Sequence, residues 1–171
     1  ARQLVLTPGI FGMEFLARGV VALPAEVPVV RWSNFIGEAL DGAGAEGFSA
    51  VLLVGHIGKL VKLAGGIMNN PSRWADGRAE LICAHAALCG ADRDTAQALM
   101  DSATADQCLS VLERAGLREP VMDSLLEAVQ RHLDRRAAEQ FSVGAVLFSN
   151  QYGLLGMTRG AKEILEAWQT S

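Results

Sequence analysis

The pattern of apolar and polar positions divides the chain into three strand-to-helix units, a helical stretch, and a closing hairpin and helix. Leu4-Val5-Leu6-Thr7 is a short apolar run stopped by Pro8-Gly9, which predicts a buried strand and a turn. A helix is expected over 11–18. A second strand is expected over 27–32, and Ser33-Asn34 are good starters for a helix over 35–45. Residues 49–54, Ser-Ala-Val-Leu-Leu-Val, give the strongest strand signal and end at Gly55. They do not alternate, so both faces are expected to be buried, as in a parallel sheet.

Such units in series predict right-handed crossovers. The carboxyl ends of the strands then share one edge, and Pro8-Gly9, Ser33-Asn34 and Gly55-His56 are expected to face one crevice. Helices follow over 76 or 77 to 88, over 92–100, and from a Thr104/Gln107 capping box to Gly116. Pro120 suits the first turn of a long helix whose stripe is Val121, Leu125, Val129 and Leu133, with a charged, solvated tail over 131–139. A strand over 143–148, a turn at 150–153, a returning strand over 154–158 and a helix over 160–168 complete the chain. The expected fold class is α/β: a mostly parallel sheet with flanking helices, a helical middle segment and a C-terminal β-hairpin plus helix, in a single domain over 1–171. The helical middle is open to three readings: an insertion, a lid, or a dimer face that would make the chain a homo-oligomer.

Composition narrows the function classes. Half of the 171 residues are apolar and 20% are charged, enough for a sizeable core. With 19 acidic and 15 basic residues, the chain lacks the basic surplus of a nucleic-acid binder. The charge-free stretch over 142–158 is interrupted by Ser149 to Gly153, so no membrane span is read. Cys83, Cys89 and Cys108 lack C-x-x-C spacing, and no export segment is readable, so a reducing, cytoplasmic setting is expected. His56, His85 and His132 make no metal-ligand spacing, and no metal site is assigned. The chain does not begin with Met and is expected to be part of a longer protein.

The candidate chemistry lies between Gly55 and Glu80. Gly55 and Gly58 bracket His56 at a helix start, where free N–H groups and the positive dipole end suit a carboxylate or phosphate. Helical spacing puts Ile57, Leu60, Val61, Ala64 and Met68 on one face, and His56, Lys59 and Lys62 or Leu63 on another. Two of the three lysines lie here, and Arg73 and Arg78 follow. An acidic chain thus gathers cations beside a strand-end turn, as a polyanionic small molecule requires. Plainer readings stay open: a wetted lysine face, a structural His56, and Asp76 as a helix cap. Gly-His-x-Gly-Lys lacks the spacing of a nucleotide phosphate loop, which excludes nucleoside-triphosphate hydrolysis. Thr7 to Gly12 is a second glycine turn at a strand end.

The block Gly55-His56-Ile57-Gly58-Lys59-Leu60-Val61-Lys62-Leu63-Ala64, then Gly66-Ile67, then Ser72-Arg73-x-Ala75-Asp76-x-Arg78-x-Glu80, resembles the signature of cobalt-precorrin-5B C1-methyltransferases. These enzymes belong to the anaerobic branch of cobalamin biosynthesis. Ser33-Asn34-Phe35-Ile36-Gly37 and Pro8-Gly9-x-x-Gly12 are similar to that family too. The resemblance implies S-adenosylmethionine as cofactor and methyl transfer to ring carbon C1 of a cobalt-containing tetrapyrrole. It makes the chain the carboxyl-terminal part of a longer methyltransferase-like protein. Candidate cofactor contacts are Gly9, Gly12, Ser33, Asn34, Gly55, His56 and Gly58, and candidate substrate contacts are His56, Lys59, Lys62, Asn69, Ser72, Arg73, Asp76 and Arg78; the sequence does not divide them between donor and tetrapyrrole. No catalytic residue is assigned, because displacement at a sulfonium methyl needs positioning more than acid–base groups. Two departures stand out: the family's amino-terminal glycine- and alanine-rich region is not in this chain, and the family's Asn-Thr-His-Ser-Arg reads Asn69-Asn70-Pro71-Ser72-Arg73. The alternative function is a non-catalytic donor- or tetrapyrrole-binding domain lacking its amino-terminal half.

Overall fold

Five short extended segments pair into one sheet in the computed structural model, which describes residues 2–170. They are β1 (Gln3–Pro8), β2 (Val29–Trp32), β3 (Ala50–His56), β4 (Ser142–Ser149) and β5 (Gly153–Met157). Their order is β2-β1-β3-β4-β5, with β2, β1, β3 and β4 parallel and β5 antiparallel to β4. The expected α/β class, the mostly parallel sheet and the closing hairpin with its helix are all present.

The non-alternating strands are explained by a core on each face. Leu4, Leu6, Val51, Leu53, Ala145 and Leu147 enter one cluster, with α2 (Ile36–Ala45) and α7 (Arg118–Ala137). Val5, Leu52, Val54, Val146 and Phe148 enter the other, with α1 (Phe11–Ala17) and α8 (Arg159–Gln169). Phe15 of α1 stacks on Phe148 at a ring-centroid distance of 4.3 Å. Helix α8 sits so close to β4 that a Cβ built on Gly144 would lie 2.0 Å from the Ala161 nitrogen, so only glycine fits there.

The chain leaves β1 on the α1 face toward β2, and returns on the α2 face to β3. Winding therefore reverses between β1 and β3. The carboxyl ends of these strands flank a topological switch point, the place where open α/β sheets bind ligands.

Two expectations need correction. The second strand begins at Val29, not Val27, because Val27 is held in a turn with its N–H on the Pro24 carbonyl, and Pro28 has no N–H to donate. The lysine segment is not one helix. A single turn, α3 (Ile57–Leu60), passes into a 3-10 helix (Val61–Gly65) that ends at Gly66 with φ 73°. The tighter winding breaks the expected face, and Val61, Lys62, Leu63 and Ala64 are all buried.

The helical middle packs as α4 (Arg78–Leu88), α5 (Arg93–Met100), α6 (Ala105–Arg114) and α7. Thr104 caps α6 by accepting the Gln107 N–H at 3.2 Å, and Gln107 returns the bond to Ala103 rather than Thr104. Arg136, in the charged tail of α7, forms a forked pair with Asp41. Among the described residues no helix is long and apolar enough to cross a membrane.

Candidate ligand site at the carboxyl edge of the sheet

The turns after β1, β2 and β3 meet at one edge. Gly9 donates its N–H to the Trp32 carbonyl at 3.2 Å, tying the end of β1 to the end of β2. A Cβ built on Gly9 would stand 2.8 Å from Lys59 Nζ, so the lysine of α3 lies across the β1 turn. The segment after the 3-10 helix folds back along β2: Asn70 donates its N–H to the Asn34 carbonyl at 2.8 Å, and Phe35 bridges Asn69. Gly9, Asn34, Gly58, Lys59 and Asn69 are thereby brought to one region, with Ser33 exposed at its rim.

Lys59 is half-buried and has no hydrogen-bond acceptor or carboxylate partner among the described residues. Burial pushes its ammonium below the ordinary lysine value. Arg78 spends Nε and Nη2 on Asp76, at 2.6 and 3.2 Å, and holds that carboxyl below its usual range. Its Nη1 is left over and lies 3.8 Å from a Cβ built on Gly58. Two cationic donors beside the switch point are therefore unfilled. Buried polar atoms accompany them: Thr7 Oγ1, Asn69 Oδ1 and both side-chain atoms of Asn70 have no partner.

The other expected cations play different parts. Lys62 is 1% exposed, and its Nζ donates to the Asn70 carbonyl (2.8 Å), the Ala75 carbonyl (3.1 Å) and Ser72 Oγ (3.3 Å). All three of its protons are engaged, so it braces the 70–75 loop from inside rather than offering charge to a ligand. Arg73 lies out on that loop, its guanidinium 5.9 Å from the Trp74 ring centre. The edge thus offers Lys59 and Arg78, Lys62 is spent inside the loop, and Arg73 stands on the loop with Trp74.

The helix start that suggested an anion site has one of its donors already taken. His56 caps α3, and its Nδ1 accepts the Gly58 N–H at 3.0 Å, which consumes that donor. Acceptance at Nδ1 leaves the neutral ring's proton on Nε2, which faces Asp106 Oδ2 at 3.7 Å. Asp106 also accepts the buried Ser149 hydroxyl at 2.6 Å. Reading the sequence missed Asp106 and Ser149. The capping box placed Asp106 in the first turn of α6, but no local signal shows that α6 starts against the end of β3.

Burial holds His56 below its ordinary value of 6.5, with Asp106 only partly opposing the shift. His85 and His132 are lowered for the same first reason. Below about pH 6.5 the unfolded chain binds these protons more readily than the folded one, so stability falls as the pH drops through that value. The thermal midpoint is expected to decline between pH 7 and 5.5, and less so in His56→Asn, whose side chain can still cap Gly58. A midpoint that rises over this range would contradict the assignment.

An open cleft of about 700 Å³ between α7 and α8 lies away from this edge. Its lining carries more acidic than basic groups, and Arg159 is already paired with Asp134 and Glu163, so it suits a polycarboxylate poorly. The unfilled donors at the switch point mark the better candidate. No group of three or more His, Cys, Asp or Glu among the described residues is placed to hold a metal.

A doubly wound sheet with unfilled cationic donors at its switch point defines an α/β domain with a candidate ligand site. The chain belongs to the CbiD family, whose C-terminal domain matches residues 71–159. It is 42% identical over 146 residues to the cobalt-precorrin-5B C(1)-methyltransferase of Ruminiclostridium cellulolyticum, covering 85% of this chain and 38% of that protein. The Tolumonas auensis protein of the same name is 35% identical over 96% of this chain and 44% of its own length. That of Gloeobacter violaceus is 36% identical, with coverages of 96% and 46%. The chain spans less than half the length of these relatives.

Proposed function

We propose that this chain is the carboxyl-terminal part of a cobalt-precorrin-5B C1-methyltransferase, and that the switch-point edge receives carboxylates of the donor or the tetrapyrrole. The observation that carries the reading is Lys59, an ammonium held half-buried without an anion. Such a group costs stability until a ligand pairs it. Arg78 Nη1 adds a second donor, and Asn69 and Asn70 offer unused amide groups. S-adenosylmethionine, when bound, supplies an electrophilic methyl group whose transfer is an in-line displacement. The residues of this chain bind and orient: Lys59 and Arg78 pair carboxylates, the Gly9 turn keeps the backbone low beside Lys59, and Lys62 holds the 70–75 loop. The family of named methyltransferases supports the reaction type, and three free thiols are consistent with a cytoplasmic setting.

A second reading, binding without turnover by the isolated chain, is favoured by its span of less than half the length of the named relatives. Full-length protein incubated with cobalt-precorrin-5B and methyl-labelled S-adenosylmethionine tests the first reading. Label at C1 by mass spectrometry supports it, and an unlabelled product pool contradicts it.

A further inference from the structure

Exposed large hydrophobic side chains in a folded domain are ordinarily scattered singly. Here four gather at the carboxyl edge: Ile10 and Phe11 follow β1, Trp32 ends β2, and Trp74 overhangs on the loop clipped to residues 34 and 35. Two of the chain's three tryptophans are among them, while Trp168 is buried. Trp74 is 63% exposed, yet it is held in place. Its N–H donates to the Pro71 carbonyl at 3.0 Å, and its ring meets Phe35 edge-on at 6.5 Å. The loop beneath is braced by the three Lys62 hydrogen bonds. An exposed indole whose backbone is already fixed loses little freedom when something covers it.

We propose that Trp74 is the stacking platform for the tetrapyrrole, with Arg73 pairing one of the ligand's peripheral carboxylates. This rests on the tetrapyrrole reading above and deepens it. A macrocycle presents an apolar plane rimmed by carboxylates. Trp74 offers a flat apolar face of matching kind, and the Arg73 guanidinium stands over the opposite face, 5.9 Å from the ring centre, with no carboxylate partner among the described residues. Guanidinium and carboxylate then form the forked pair that arginine geometry favours. The Trp74 face and the Lys59–Arg78 donors border the same edge, so the ligand is held by plane and by rim.

The test titrates uroporphyrin III, a tetrapyrrole polycarboxylate, into this chain, following tryptophan fluorescence and the porphyrin absorbance. Wild type is expected to show saturable quenching. Trp74→Ala is expected to bind roughly tenfold more weakly, from loss of stacking and buried apolar area. Trp74→Phe should retain most of the affinity. Arg73→Ala should weaken binding and flatten its salt dependence. Melting of Trp74→Ala should match wild type, because the side chain is exposed. Wild-type affinity in Trp74→Ala would overturn the platform and leave the tetrapyrrole reading standing. Absence of saturable binding by the wild-type chain would overturn the platform and count against that reading as well.

Discussion

Lys62→Met is expected to destabilise the chain by about 3 kcal/mol and to free the 70–75 loop, because it removes a buried ammonium with three acceptors. Methionine keeps the apolar stem but leaves the carbonyls of Asn70 and Ala75 and the Ser72 hydroxyl without their donor. The loss appears as a lower urea midpoint. Trypsin should also cut faster after Arg73 and Arg78, since cleavage needs the loop to open. An unchanged midpoint with an equally resistant loop would contradict the bracing role. Burial pushes the Lys62 ammonium below its ordinary value, with the Asp76 carboxylate opposing the shift.

Lys59→Gln is expected to do the opposite. Its ammonium has no anion to lose, so stability should hold or rise by up to about 1 kcal/mol. Binding of a carboxylated ligand should fall roughly 10- to 100-fold, the worth of one charge-assisted hydrogen bond. Calorimetric titration with S-adenosylhomocysteine and with uroporphyrin III, alongside thermal melting, separates the two effects. A destabilised variant with intact affinity would mean that Lys59 is a structural residue.

The two lysines show where the sequence could be read and where it could not. Their spacing placed both on one helix face, and that reading needed the helix to continue beyond Leu60. It becomes a 3-10 helix because the segment is buried on all sides, so hydrophobic periodicity had no face to report. The acceptors of Lys62 come from backbone 8 and 13 residues on, which spacing rules do not capture. Asp106 was hidden by distance, since it reaches His56 only once α6 docks against β3. The parts that were legible carry their causes locally. The runs in β1, β3 and β4 are apolar on both faces because two cores need them. Pro8-Gly9 and Gly55-His56 end strands through turn chemistry, and parallel winding then dictates that they share an edge. Pro71, which departs from the family pattern, opens the turn that carries Trp74 by accepting its N–H.

The most direct measurement of the central claim is a map of backbone amide chemical shifts on adding uroporphyrin III and, separately, S-adenosylhomocysteine. The account predicts saturable shifts concentrated at Gly9, Gly12, Asn34, Gly58, Lys59 and Trp74. Shifts centred instead on Asp123, Lys162 and Glu166 in the α7–α8 cleft would contradict it.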